Sequence, residues 1–178
     1  MTLTLLLLRH AKSSWDTPGL DDFERPLAPR GIKAAPMMGA AIVRQKLVPA
    51  LILCSTSVRT RETLALMLPQ LAPARPEVVY EDALYLATTS DLLERIRCLP
   101  DTRRRVMLVG HNPGMHGAAL ALAGHGARKD VAALAIKFPT AALAVLSFPF
   151  AHWAAVRPAS GTLTRFTTPR TLTADSER

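Results

Sequence analysis

Residues 2–8 read Thr-Leu-Thr-Leu-Leu-Leu-Leu, and the run stops at Arg9-His10-Ala11-Lys12. A short apolar run of this kind fits a strand covered on both faces. Ending such a strand in cations and an imidazole wastes polar groups unless they face a cleft. Two other segments share the plan. Arg105–Val109 leads into Gly110-His111-Asn112-Pro113-Gly114, and Leu51–Cys54 leads into Ser55-Thr56-Ser57-Val58-Arg59. Three strand ends that deliver Arg, His, Arg and His point to one pocket suited to a phosphoryl group.

The rest of the chain supplies the scaffold for such ends. Apart from strand one at Thr2–Leu8, the sequence predicts strands at Ala50–Cys54, Val78–Tyr80 and Val106–Val109. Two last strands, Ala142–Phe148 and Leu163–Phe166, are expected to lie adjacent and antiparallel. Residues 9–28 read as a polar loop. A helix is expected from Pro29, a residue suited to the first helical position, to about Gln45, with a kink or restart at Pro36. Further helices are expected over Arg59–Leu71, over Asp91–Leu99 with Ser90 as N-cap, and from Pro113 to Ala123. This alternation predicts a three-layer α/β/α domain with a mostly parallel central sheet over residues 1–168. Residues 169–178 are expected to fray as a polar tail. In such sheets ligands bind beyond the carboxyl ends of the strands, where Arg9, His10, Arg59 and His111 all fall.

Composition narrows the classes. With 178 residues the chain suits one domain, and 49% hydrophobic against 20% charged residues makes it globular. The apolar start has no basic region before it, and Arg9 ends it too early for a leader or a membrane span. A soluble, cytoplasmic protein with no membrane contact is expected. Cys54 and Cys98 form no metal motif and read as reduced core residues. The net charge of +8 favours anionic partners, but the basic residues are scattered and no nucleic-acid reader motif interleaves aromatics with them. A phosphorylated substrate is the better expectation, and nucleic acid is not expected.

Leu8-Arg9-His10-Ala11-Lys12-Ser13-Ser14-Trp15 resembles the Arg-His-Gly signature of the histidine phosphatase superfamily, which also holds the cofactor-dependent phosphoglycerate mutases. Ala11 in place of glycine, followed by Lys12-Ser13, is similar to the bacterial SixA-type phosphohistidine phosphatase branch. Asp22-Phe23-Glu24-Arg25-Pro26-Leu27, Gly31, Ser55 to Arg59 with Glu62-Thr63, and Val109 to Pro113 extend the resemblance over roughly the whole chain. Thr56 departs from it, standing where the family often has proline; the expected effect is on loop stiffness. Asp16 stands where mutases tend to have asparagine. A carboxylate there repels a phosphoryl dianion, which counts against a mutase.

The resemblance implies a role for each residue. His10 is the nucleophile, with one ring nitrogen donating to a backbone carbonyl and the other free to attack phosphorus. Arg9 and Arg59 clamp the phosphoryl oxygens with planar forks. His111, protonated by the nearby anion, adds charge in the transition state. Backbone N–H groups where helices begin after His10 and His111 extend the anion site. Glu81 and Asp82 are candidate proton donors, or simply an acidic loop, with Asp16 and Asp22 next in line. No cofactor and no metal are implied. The implied activity is removal of phosphate from a protein phosphohistidine through a phosphohistidine enzyme intermediate. The alternatives are a phosphatase of small phosphomonoesters and a non-catalytic phosphate-binding module.

Single residues also have plainer readings. Arg59 fits a solvated helix start, and His111 fits a turn. Lys12 fits a phosphate contact or a solvated rim equally well. Arg25 leans towards a structural pairing with Asp22. His116, His125 in a Gly-His-Gly turn, and His152 have no ligand spacing and read as structural.

Overall fold

A computed structural model describes residues 2–72 and 74–176. Among these residues seven strands form one sheet: β1 (Leu3–Arg9), β2 (Leu51–Ser55), β3 (Glu77–Glu81), β4 (Arg105–Gly110), β5 (Ala123–Gly126), β6 (Leu143–Phe148) and β7 (Gly161–Thr167). Their order is β3-β2-β4-β1-β6-β7-β5. Only β6 runs against its neighbours; every other pairing in the sheet is parallel. The helices are α1 (Pro29–Arg44), α2 (Val58–Leu71), α3 (Thr89–Arg97), α4 (Gly114–Leu122), α5 (Arg128–Ile136) and α6 (Pro169–Ser176).

The central strands are apolar on both faces because both are covered. Leu3, Leu5 and Leu7 of β1 join Val106, Leu108, Ala144 and Leu146 in a core closed by α3, α4 and α5. Leu6 and Leu8 point the other way and join Met107, Val109, Leu143 and Val145 under α1, α2 and α6. The expected three-layer architecture is therefore present.

Four expectations are corrected. α1 does not restart at Pro36 but continues through it as one helix. The carbonyl that loses its partner belongs to Ile32, whose side chain is 49% exposed, so water is at hand to replace the bond. α3 begins earlier than Ser90 suggests, because Thr88 and Asp91 form a reciprocal capping box. Gly124-His125-Gly126 is not a free turn but an edge strand on β7. Its glycine content hides it from propensity, yet a Cβ on Gly124 would meet the Ala159 carbonyl oxygen at 1.9 Å. Finally, residues 169–176 do not fray. They form α6, and Leu172, 6% exposed, packs into the core beneath α1. Residues 177 and 178 of the expected tail lie outside the described residues.

Cys54 is buried, but Cys98 is exposed at the end of α3 rather than in the core. Among the described residues no helix is long and apolar enough to cross a membrane.

Candidate active site

β1 and β4 are neighbours in register, so Arg9 lies opposite Gly110 at their carboxyl ends. The chain after β1 goes to α1 on one face, and the chain after β4 goes to α4 on the other. Connections that part in this way open a crevice between the strand ends. The His10 N–H donates to the Gly110 carbonyl at 3.0 Å, extending the ladder by one residue. This sets the rings of His10 and His111 side by side, with centroids 5.3 Å apart.

His10 is 7% exposed. Its Nδ1 lies 2.7 Å from the Ala11 carbonyl oxygen. A carbonyl only accepts, so Nδ1 carries the ring proton and Nε2 keeps its lone pair. Burial, aided by the charges of Arg59, Arg9 and Arg25, overrides that hydrogen bond and lowers the pKa from 6.5 to about 4. The ring is neutral at neutral pH, as a nucleophile must be.

The residues behind His10 hold it from several directions. The Ala11 N–H donates to Thr63 Oγ1 at 3.0 Å, and that hydroxyl donates to the Arg59 carbonyl at 2.6 Å. Glu62 accepts the Leu27 N–H at 2.7 Å. The Glu62-Thr63 pair of the sequence pattern is thus a splint tying α2 to the loop after β1. Gly31 lets α1 start close against this loop, since a Cβ there would meet the Lys12 carbonyl oxygen at 2.2 Å. After His10 the chain is loop rather than helix; the helix starts near the site are those of α2 and α4.

His111 is 3% exposed, with Nε2 2.8 Å from Ser55 Oγ. Burial, His10 and Arg59 lower its pKa to about 3, against the opposing pull of Asp22. The expected imidazolium is therefore not the state of the free protein. His111 is neutral, and an arriving phosphoryl dianion acts in the opposite direction, favouring its protonation. The second ring nitrogen, Nδ1, and Arg9 Nε are both buried without a protein partner. An orphaned buried donor such as Arg9 Nε is costly, and a phosphoryl oxygen is an acceptor suited to it.

The arginines are held by Asp22, a carboxylate expected to have only a minor part. Asp22 Oδ2 accepts from Arg59 Nη2 at 2.9 Å and from the Tyr85 hydroxyl at 2.8 Å, and Oδ1 accepts from Arg25 Nη1 at 2.8 Å. Arg59 Nη1 also donates to the Asp22 carbonyl. Partial burial raises the Asp22 pKa, but Tyr85, Arg25 and Arg59 outweigh it and hold it down to about 2. This ionised hub fixes the Arg59 fork, whose side chain is 4% exposed. Arg9 is steadied by Nη1 donating to the Phe138 carbonyl at 2.9 Å. Burial, then Arg59, lowers the Arg9 pKa, so two guanidiniums are held near one another for an anion.

Arg25 takes the structural part: beyond Asp22 it bonds Ser13 Oγ at 2.7 Å and the Ser14 carbonyl at 3.0 Å, and stacks over Trp15. Lys12 is exposed on the rim. Tyr85, absent from the expected site, stands edge-on to His111 with ring centres 5.4 Å apart.

The candidate proton donors separate. Glu81 is gripped by Arg95 through two bonds of 2.9 and 2.7 Å, which makes it an ion-pair partner rather than a donor. Asp22 is held ionised and carries no proton to give. Asp16 is exposed on the loop, its N–H bonded to Ser14 Oγ at 2.9 Å. Asp82 alone of the four is both exposed and attached to the site, accepting the Thr56 hydroxyl at 2.6 Å. Thr56 therefore does more than alter loop stiffness. The other histidines are occupied elsewhere or exposed: His116 bonds the Leu134 carbonyl at 2.7 Å, His152 pairs with Asp101 at 2.8 Å, and His125 is exposed. Arg103, Arg104 and Arg105 bond Glu77 and backbone carbonyls.

No family model matches the chain. It is 38% identical over 165 residues to an uncharacterized protein of Mycobacterium tuberculosis, covering 92% of this chain and 100% of that protein. Among solved structures it is similar to a candidate phosphohistidine phosphatase SixA from Agrobacterium tumefaciens, with 34% identity, TM-score 0.78, and 94% and 98% of the two chains covered. A second, from Nakamurella multipartitia, has 28% identity and TM-score 0.79 over 95% and 97% of the two chains. A neutral buried histidine beside two guanidiniums at the ends of β1 and α2, in a fold shared over nearly full length with these proteins, places the chain in the histidine phosphatase superfamily, in its SixA-type branch.

Proposed function

We propose that this phosphatase hydrolyses phosphohistidine on a protein, by way of a phosphoryl group carried on its own His10. The observation that carries the reading is the His10 ring: Nδ1 held as a donor by Ala11, Nε2 left with a free lone pair, and the whole ring neutral among arginines. Nε2 attacks phosphorus, and the P–N bond to the substrate histidine breaks. The departing imidazole takes a proton from solvent on its other ring nitrogen and leaves neutral. Water then attacks the phosphoryl group on His10, releasing phosphate and restoring the free ring. Arg9, Arg59 and His111 neutralise the equatorial oxygens in both steps without requiring a metal.

The substrate class is supported by the leaving group and by the likeness to the two SixA phosphohistidine phosphatase structures. An imidazole leaves without a strongly placed acid, and Glu81 and Asp22 are both committed to arginines. One observation favours the other substrate class. Asp82, held by Thr56 at 2.6 Å, is a carboxylate able to serve an alkyl leaving group of a small phosphomonoester. The test is kcat/KM on a phosphohistidine protein, its phosphoserine counterpart and a panel of small phosphomonoesters. A preference for the phosphohistidine protein is expected. Faster turnover of a small ester would assign the site to that class instead.

A further inference from the structure

A groove of about 1170 Å³ starts at Lys12, two residues beyond His10, and runs between α1, α5, β7 and α6. Its wall at Pro139 and Thr140 is pinned to the active site. Phe138, just before it, accepts from Arg9, and Ala141, just after it, donates to the His10 carbonyl at 3.0 Å. The groove is cationic along its whole length. Lys12, Arg30 and Arg44 line it from the first loop and α1, and Lys129, Lys137, Arg165 and Arg170 line the remainder. Among the described residues the lining holds one carboxylate, Asp130. Among the described residues, none of these seven cations has an ion-pair partner. By contrast, the Arg103-Arg104-Arg105 run is bonded to a carboxylate and to backbone carbonyls. Seven like charges sharing one concave surface repel each other, and the groove walls focus their field.

Two features identify what fits. Arg30 and Arg44 are fourteen helical positions apart on α1, so the groove spans roughly 21 Å, far more than a phosphoryl group needs. The lining is also partly apolar, with Ala34, Ala133 and Ile136, the last 78% exposed. Its one aromatic ring, Phe166, is 9% exposed and offers no stacking platform for bases. An apolar strip between unpaired cations suits a polypeptide segment with acidic and aliphatic side chains.

We infer that this groove docks an acidic segment of the phosphorylated protein, holding it while the phosphohistidine reaches His10. The inference rests on the protein-phosphohistidine reading above. Arg44 lies in the last turn of α1 and Arg170 in the first turn of α6, and neither takes part in the catalytic set.

The experiment uses the full chain, its Arg44→Glu/Arg170→Glu variant, and two phosphohistidine peptides that differ only in flanking glutamates or glutamines. At about 0.05 M salt the wild type should favour the glutamate peptide by roughly 10-fold in kcat/KM, mostly through KM. That preference should vanish at about 0.5 M salt, and in the variant at low salt. The variant should turn over the glutamine peptide at the wild-type rate, with an unchanged thermal midpoint. Equal use of the two peptides by the wild type, or a preference that survives in the variant, would overturn the groove. Anisotropy with the unphosphorylated glutamate peptide separates this from failure of the activity. If neither phosphopeptide is hydrolysed but the wild type binds and the variant does not, the groove stands and the substrate reading falls. If random duplex DNA displaces the peptide and binds more tightly, the groove belongs to nucleic acid and the inference is wrong.

Discussion

Two histidines held neutral in a buried cationic site make the fold sensitive to acid, and the size of the effect follows from their environments. In the unfolded chain each imidazole takes a proton near pH 6.5. In the folded protein burial and the neighbouring arginines lower His10 to about 4 and His111 to about 3. The unfolded chain therefore binds more protons below about pH 6.5. Stability from this source is fully present above that value and is lost as pH falls through the window towards 4 and 3. Between about pH 7.5 and about pH 5 each ring costs about 2 kcal/mol, or about 4 kcal/mol for the pair. That is a large share of a total stability of roughly 5–15 kcal/mol. Asp22, lowered to about 2, loses its contribution only below its ordinary pKa of 3.8, outside the window. Urea unfolding at the two pH values, on the wild type and on His10→Gln/His111→Gln, measures the difference directly. The wild type should lose about 4 kcal/mol more than the variant on acidification. His116, His125 and His152 are common to both proteins and cancel. Equal losses in the two proteins would show that these rings are not held neutral, and the argument for His10 as a ready nucleophile would lose its basis.

Three further outcomes are expected. His10→Ala should fold and have no turnover, and acid-labile phosphate trapped on the wild type should map to His10; label on any other residue would sink the mechanism. Arg59→Lys keeps the charge but loses the fork that binds both Asp22 and an anion, so kcat/KM should fall by about 2–4 kcal/mol, roughly 30- to 1,000-fold, and near wild-type kinetics would remove Arg59 from the clamp. Asp82→Asn should slow an alkyl phosphate by roughly 100-fold or more while hardly affecting a phosphohistidine substrate, whereas Glu81→Gln should change neither; equal loss on both substrates in Asp82→Asn would undo the leaving-group argument.

The strands and the core of the site were legible from the chain alone because their signals are local. Leu3 to Leu8 is apolar at nearly every position, as a strand under two helical layers must be, and its abrupt end at Arg9-His10 marks the sheet's carboxyl edge. His111 and Arg59 followed from the same punctuation. Elements made by tertiary pairing were not legible. β5 is a Gly-His-Gly segment that becomes a strand only because β7 leaves an edge for it, and α6 is a polar stretch ordered by burying Leu172 under α1. Nor could the sequence rank the carboxylates. Asp22, Glu81 and Asp82 are alike as residues, and their roles separate only when folding brings Arg25, Arg59 and Tyr85 to the first, Arg95 to the second and Thr56 to the third. A carboxylate's proton affinity is set by neighbours within hydrogen-bond reach, and here most of those come from distant parts of the chain.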